Sequence, residues 1–202
     1  MVQIIPPPLE NIEPFLTLDL TSIRLTAEQF RQLCRDNPDL RLELTSNGDL
    51  MVMPPTGSKT GQRNANLTRQ LTAWAGKDGT GVAFDSSTGF TLPDGAILSP
   101  DASWVRFERW NALTVEEQEG FAPVCPDFVI ELKSYGNTLK TLQEKMQQYI
   151  QNGTQLAWLI DPLARLVYVY RPDEAVELLS GASIVFASPT LDGFGLQLAE
   201  LW

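Results

Sequence analysis

The stretch that most narrows the possible folds is Pro126–Lys133, read together with Pro100–Asp101. It runs Pro126-Asp127-Phe128-Val129-Ile130-Glu131-Leu132-Lys133 and then breaks at Ser134-Tyr135-Gly136-Asn137. As a strand it alternates. Phe128, Ile130 and Leu132 point one way; Val129, Glu131 and Lys133 point the other. A carboxylate and an ammonium therefore share one face at the end of an apolar strand. A second strand, Asp101–Val105, opens with an acid directly after a proline. There Asp101, Ser103 and Val105 share one face, Ala102 and Trp104 the other. If the two strands are neighbours, Asp101, Glu131 and Lys133 converge at one sheet edge.

Such a cluster has chemical meaning. Two carboxylates with open space between them suit a hard divalent cation, Mg²⁺ or Mn²⁺, which prefers oxygen ligands. A cation so held can polarise a phosphoryl oxygen. A nearby lysine can orient water or offset charge on phosphorus. The plainer reading is a strand-end salt bridge, worth about 0–1 kcal/mol if exposed. From spacing alone the plainer reading stands first.

Composition excludes several chemistries. The chain has no histidine, which removes Ser-His-Asp and Cys-His catalysis, histidine metal ligation and histidine general bases. Its two cysteines, Cys34 and Cys125, are far apart. They form neither a disulfide framework nor a zinc pattern and fit a reducing cytoplasm. No run is long enough to span a membrane, and no basic start followed by an apolar core marks a signal peptide. The net charge of −10 opposes broad, non-specific nucleic-acid binding, which needs many phosphates neutralised. It leaves room for a local basic face.

At 202 residues one domain is the default. Residues 1–20, with Pro6-Pro7-Pro8, read as an arm on the surface or on a partner subunit, or as disordered; residues 21–202 read as the domain. Thr26 with Gln29 forms a capping box for a helix that Asn37-Pro38 ends. Leu40–Thr45 and Leu50–Met53 form a hairpin around Ser46-Asn47-Gly48-Asp49. Leu40, Leu42 and Leu44 share a face, which sets Glu43 opposite as a solvated strand glutamate. A helix follows over Thr60–Ala75, with Leu67, Leu71 and Trp74 as its buried stripe. From Gly57 to Lys77 the chain carries Lys59, Arg63, Arg69 and Lys77 and no acid. These cations, with Asn64 and Asn66, read either as a phosphate-facing surface or as an ordinary solvated helix face.

Val82–Asp85, Phe90–Leu92 and Ile97-Leu98 read as short strands, with Asp85 a turn cap or an acid behind the site. The charged segment 106–119 reads as cover for one rim of the cleft or as a subunit contact. Thr138 caps a helix that runs to Asn152, with Leu139, Leu142, Met146, Tyr149 and Ile150 on its buried side. Gln143 falls at the margin of that arc and Lys145 off its opposite edge. Leu156–Ile160 and Leu166–Tyr170 are apolar strands, and Ala175–Leu179 and Ser183–Phe186 edge strands.

Pro100-Asp101 … Glu131-Leu132-Lys133 resembles the PD-(D/E)xK signature of restriction-endonuclease-like nucleases. The surroundings are more specific. Glu43 with Gly48, Met53-Pro54-Pro55-Thr56-Gly57, Ser99-Pro100-Asp101-Ala102-Ser103-Trp104-Val105, Pro126-Asp127-Phe128-Val129-Ile130-Glu131, and Lys145 … Tyr149 … Gly153 … Trp158-Leu159-Ile160-Asp161-Pro162 resemble the Uma2 family (DUF820) over roughly residues 25–200. The resemblance implies an α/β fold with a mixed central sheet flanked by helices. It implies a Mg²⁺- or Mn²⁺-dependent endonuclease acting on DNA, and a homodimer is plausible on the same ground. Asp101 and Glu131 would hold the metal, Lys133 would serve the attacking water, and Glu43 would be an accessory acid. Gln143 and Lys145 would support from the helix, with Lys133 ranked above Lys145 as the working amine. Lys59, Arg63 and Arg69 would face nucleic acid. The alternative is a nuclease-fold binding or regulatory module that cleaves little.

Overall fold

The computed structural model describes residues 16–202. The arm expected over residues 1–20 lies mostly outside them. Its last part, β1 (Leu16–Leu18), is an edge strand paired antiparallel to Leu50–Val52. The helix α1 (Ala27–Asp36) begins at the expected capping box. Thr26 Oγ1 accepts from Gln29 N–H at 3.2 Å, and Gln29 Oε1 accepts from Thr26 N–H at 2.8 Å. The hairpin of β2 (Arg41–Leu44) and β3 (Leu50–Met53) follows, with Gly48 at φ 94° in its turn. That left-handed geometry costs glycine nothing.

Helix α2 (Ser58–Asp78) is longer at both ends than its apolar stripe suggests. Its start is a glycine, Gly57, with no side-chain cap, and its end is Gly79 in the left-handed region. Strands β4 (Gly81–Asp85), β5 (Phe90–Thr91), β6 (Ile97–Leu98) and β7 (Ala102–Arg106) come next. The charged segment folds into two short helices, α3 (Phe107–Trp110) and α4 (Val115–Glu119). Then come β8 (Phe128–Leu132), α5 (Leu139–Gln151), β9 (Leu156–Asp161), β10 (Leu166–Tyr170), β11 (Glu177–Ser180), β12 (Ile184–Phe186) and β13 (Gly195–Gln197).

The central sheet has six strands in the order β11-β10-β9-β8-β7-β4. Only β8 and β9 are parallel, and α5 makes the crossover between them; the other pairs are antiparallel. The sheet is therefore mixed and covered on both faces, which makes the fold α/β. On one face Leu67, Leu71 and Ala75 of α2 pack with Phe128, Ile130 and Trp158. On the other, Leu142, Met146 and Tyr149 of α5 pack with Val129, Ala157 and Leu159. A second sheet, in the order β1-β3-β2-β6-β5, carries its own small core with Phe30 of α1.

Two expectations change here. Strand β12 does not border the central sheet; it pairs with β13 in a separate two-stranded unit. The 106–119 segment does not rim the cleft either. Strand β7 starts beside Asp101 and ends at Arg106, so the segment leaves from the opposite end of the sheet. There Arg109 pairs with buried Asp127 at 3.0 Å, and Trp110 packs on Phe84 with ring centroids 5.0 Å apart. Among the described residues no helix is long and apolar enough to cross a membrane.

The β4–β7 pairing is closest at Gly81. A methyl group there would meet the Trp104 ring and the Val105 carbonyl. Because a backbone atom is one of the obstacles, side-chain rotation alone cannot relieve the overlap. Gly81→Ala is expected to lower the urea-unfolding free energy by about 2 kcal/mol or more, whereas Gly61→Ala, in open space on α2, should leave it unchanged or raised.

Candidate active site

The register of two strands brings the acids together. Ala102 of β7 pairs with Ile130 of β8 in antiparallel ladder, so Asp101 falls opposite Glu131. Asp101 is tied directly to that neighbour: its Oδ2 accepts from the Leu132 N–H at 2.8 Å. Its other oxygen, Oδ1, accepts from Asn64 Nδ2 of α2 at 2.9 Å. Glu131 is 5% exposed and faces the α5 side of the sheet.

A third acid comes from the smaller sheet. Glu43 of β2 is 1% exposed, not solvated as its strand face suggests. Its Oε1 accepts from the Ser99 N–H at 2.8 Å, one residue before Pro100-Asp101. Between Glu43 and Glu131 stands Lys145 of α5. Its Nζ lies 3.0 Å from Glu43 Oε1 and 2.8 Å from Glu131 Oε1. Tyr149, one helical turn later, donates its hydroxyl to the same Glu131 oxygen at 3.3 Å. Both contacts to Glu131 fall on Oε1, so among the described residues Oε2 carries no recorded bond.

Glu43, Asp101, Glu131 and Lys145 line one cavity of about 260 Å³, with Tyr149 and Asn64 behind them. Arg41, Glu43, Ser99, Asp101, Glu131 and Lys145 belong to its polar lining; Met51, Met53, Pro54, Pro55 and the 134–137 loop also line it.

Burial governs the protonation of this cluster. It pushes Glu131 up to about 7, a shift that Lys145 opposes and that Asp101 and Glu43 reinforce. Asp101 is likewise raised by burial, against the pull of the Leu132 amide, Lys145, Asn64 and Arg41. For Lys145, burial alone would lower the value. The two carboxylates outweigh it and hold the ammonium well above its usual range. Tyr149 stays protonated, because burial and then the nearby carboxylates disfavour a phenolate.

The structure redistributes the other candidates. Lys133 lies just past the end of β8 and reaches Asp161 at the end of β9, 3.4 Å away; it does not line the cavity. Lys145, ranked below it, is the lysine that stands beside Glu43 and Glu131. Gln143 also faces elsewhere, toward the Tyr170 hydroxyl. Of the basic residues on α2, Arg63 Nε donates to the Leu201 carbonyl at 2.6 Å, and Arg69 pairs with Glu200. Asn66 donates to the Glu200 carbonyl at 3.2 Å. Much of this face binds the C-terminal segment, not an open surface. Lys59 remains exposed, in contact with Gln62 at 3.3 Å. Asp85 caps its own turn by accepting from the Ser87 N–H at 3.0 Å.

Sequence reasoning missed Arg41, Ser99 and Asn64 as neighbours of the acids. Arg41 had a legible signal, since it precedes Glu43 by two residues and so shares its strand face. Asn64 and Ser99 had none, because their contacts depend on how α2 packs and on the β2–β6 pairing.

Residues 27–199 match the model of the Uma2 family, described as "Putative restriction endonuclease". The chain belongs to the Uma2 family. Among solved structures, it is similar to a "putative nuclease belonging to DUF820" from Anabaena variabilis. The TM-score is 0.72 at 21% identity, over 88% of this chain and 97% of that one. That likeness shows a shared fold. No curated protein matches the chain. Membership in Uma2 supports a nuclease-like function and a nucleic-acid substrate.

Whether the acids fit a cation is a question of donor chemistry. Asp101, Glu131 and Glu43 offer only hard oxygens, the set that Mg²⁺ and Mn²⁺ prefer, and Glu131 keeps an oxygen without a recorded bond. The donors fit. As arranged, with Lys145 between two of the acids, no group of three or more acid or cysteine side chains among the described residues forms a metal-binding cluster.

The displaced Glu131 value has a consequence for stability. An unfolded chain releases the Glu131 proton near 4.5, whereas the folded one keeps it to about 7. Between those values the folded state binds more protons, so stability falls as pH rises through that window. The loss attributable to Glu131 should be on the order of 3 kcal/mol, and the raised Asp101 acts in the same direction. Urea denaturation at pH 4.5 and pH 7.5 should show this decline, and Glu131→Gln should remove most of it.

Proposed function

We propose that this protein is a Mg²⁺- or Mn²⁺-dependent nuclease that hydrolyses phosphodiester bonds in DNA. The observation that carries the reading is the meeting of Asp101, Glu131 and Lys145 in one cavity of a Uma2 chain. Asp101 and Glu131 would hold the cation through their carboxylate oxygens. When bound, the cation supplies Lewis-acid stabilisation of charge on the scissile phosphate.

The protein's own groups do the rest. Lys145 stays an ammonium, so it cannot serve as a base. It would offset negative charge on the phosphate as water adds to phosphorus and loses a proton to solvent, while the P–O bond to one sugar breaks and the leaving oxygen takes a proton from solvent. Glu43 positions Lys145, and its own carboxylate is steadied by the Ser99 amide. Tyr149 and Lys145 both engage Oε1 of Glu131 and so orient Oε2 outward. Asn64 and the Leu132 amide fix the plane of Asp101. Preorganised groups of this kind need no reorganisation during the reaction.

A second reading, a nuclease-fold module that binds without cutting, is favoured by the position of Lys145. Its ammonium is already paired with Glu131, one of the two carboxylates that would hold the cation. Calorimetric Mn²⁺ titration and plasmid nicking separate the two. The nuclease reading expects Mn²⁺ binding that Asp101→Asn abolishes, together with cleavage. Lys145→Ala should reduce cleavage at least about 100-fold, with Lys133→Ala close to the parent. If Lys133→Ala is the inactive variant and Lys145→Ala cuts normally, the assignment of the amine is wrong.

A further inference from the structure

We propose that the substrate of this site is unpaired DNA, and that the strand is held by stacking of a base on Tyr135. The inference rests on the nuclease reading of the Asp101–Glu131 cavity and names its substrate class. Three observations lead to it.

The first is the ring itself. Tyr135 sits in a loop that lines the cavity and is 84% exposed. It takes no part in the aromatic pairs of the described residues. Met53, Pro54 and Pro55 line the same cavity. An exposed aromatic ring on a cavity that also has apolar lining suits a nucleobase. Only an unstacked base can use such a site, because in a duplex both faces of each base are already covered.

The second is charge. Duplex recognition draws most of its affinity from Lys and Arg on phosphates. Here the nearby cations are engaged. Arg41 donates to the Ser86 carbonyl at 3.0 Å, Lys145 bridges two carboxylates, and Arg63 and Arg69 hold the C-terminal segment. Lys59 is what remains at this end of α2. In a chain of net charge −10, affinity must come from stacking more than from phosphate neutralisation.

The third is depth. Glu43 and Glu131 are 1% and 5% exposed, so the scissile phosphate has to descend into a cavity of about 260 Å³. A single strand can bend its backbone inward. A duplex, whose phosphates lie on the outside of a stiff rod, cannot do so without local opening.

Fluorescence anisotropy with the full chain tests this, using a dye-labelled thymidine oligomer and its duplex with the complementary strand. The single strand should bind at least about tenfold more tightly than the duplex. Tyr135→Ala should weaken single-strand binding about tenfold, and Tyr135→Phe, which keeps the ring, should restore it. Tyr135 is too exposed for its removal to unfold the protein, and circular dichroism checks that. Equal affinity for the two DNAs, or no effect of Tyr135→Ala, overturns the proposal. A parallel Mn²⁺ cleavage assay on single-stranded and plasmid DNA separates the two readings. If the parent and Tyr135→Ala cut both DNAs equally fast, the stacking proposal falls and the nuclease reading stands. If the single strand binds through Tyr135 and neither DNA is cut, the nuclease reading falls and the unpaired-strand site stands.

Discussion

The hydrogen bond from the Leu132 amide to Asp101 joins an acid of one strand to the backbone of the next. It sits where the β7–β8 ladder ends, so it continues the ladder with a side chain in place of a carbonyl. Asp101 therefore cannot shift without disturbing the pairing of the two strands. Glu131, one residue before Leu132, is held by the same ladder. The geometry of the acidic pair is thus a property of the sheet, not of two flexible side chains.

Around that pair the protein buries Glu43 and Glu131 almost completely and Lys145 in large part. Taking charges out of water is expensive, and a buried ion network is weak evidence for stability. The raised Glu131 expresses that cost. Hydrophobic residues of similar size would pack as well, with Leu142, Met146 and Ala157 already close by. That the chain keeps polar groups here points to chemistry. The lysine makes the arrangement tolerable by sitting between two carboxylates, and it keeps its own charge for the same reason.

Two sheets and two helices contribute to the site, and each enters for a local reason. Strand β2 brings Glu43 because its hairpin turns at Gly48. Helix α5 brings Lys145 and Tyr149 together because they lie one turn apart. Helix α2 contributes Asn64 from the same helix that spends Arg63 and Arg69 on the C-terminal segment. A basic stretch in the sequence had two uses open to it, and burial of the chain end absorbed much of it. Net charge along a segment does not reveal which cations a neighbouring carbonyl or carboxylate will claim.

Beyond the α/β class, which the family resemblance implied, the sequence alone determined the Asp101 and Glu131 strands with their facing, the capping box at Thr26, and the helix ends at Asn37 and Asn152. These follow from short-range periodicity and capping, which need only neighbours along the chain. Lys133 and Lys145 could not be told apart that way. Both stand near the acids in the pattern, but Lys133 lies beyond the strand end, where Asp161 of the adjacent strand captures it. Lys145 reaches the acids only because α5 crosses back over the sheet, and Glu43 becomes buried only because the small sheet docks there. Those outcomes depend on contacts between residues 56 and 102 positions apart, and no local spacing records them.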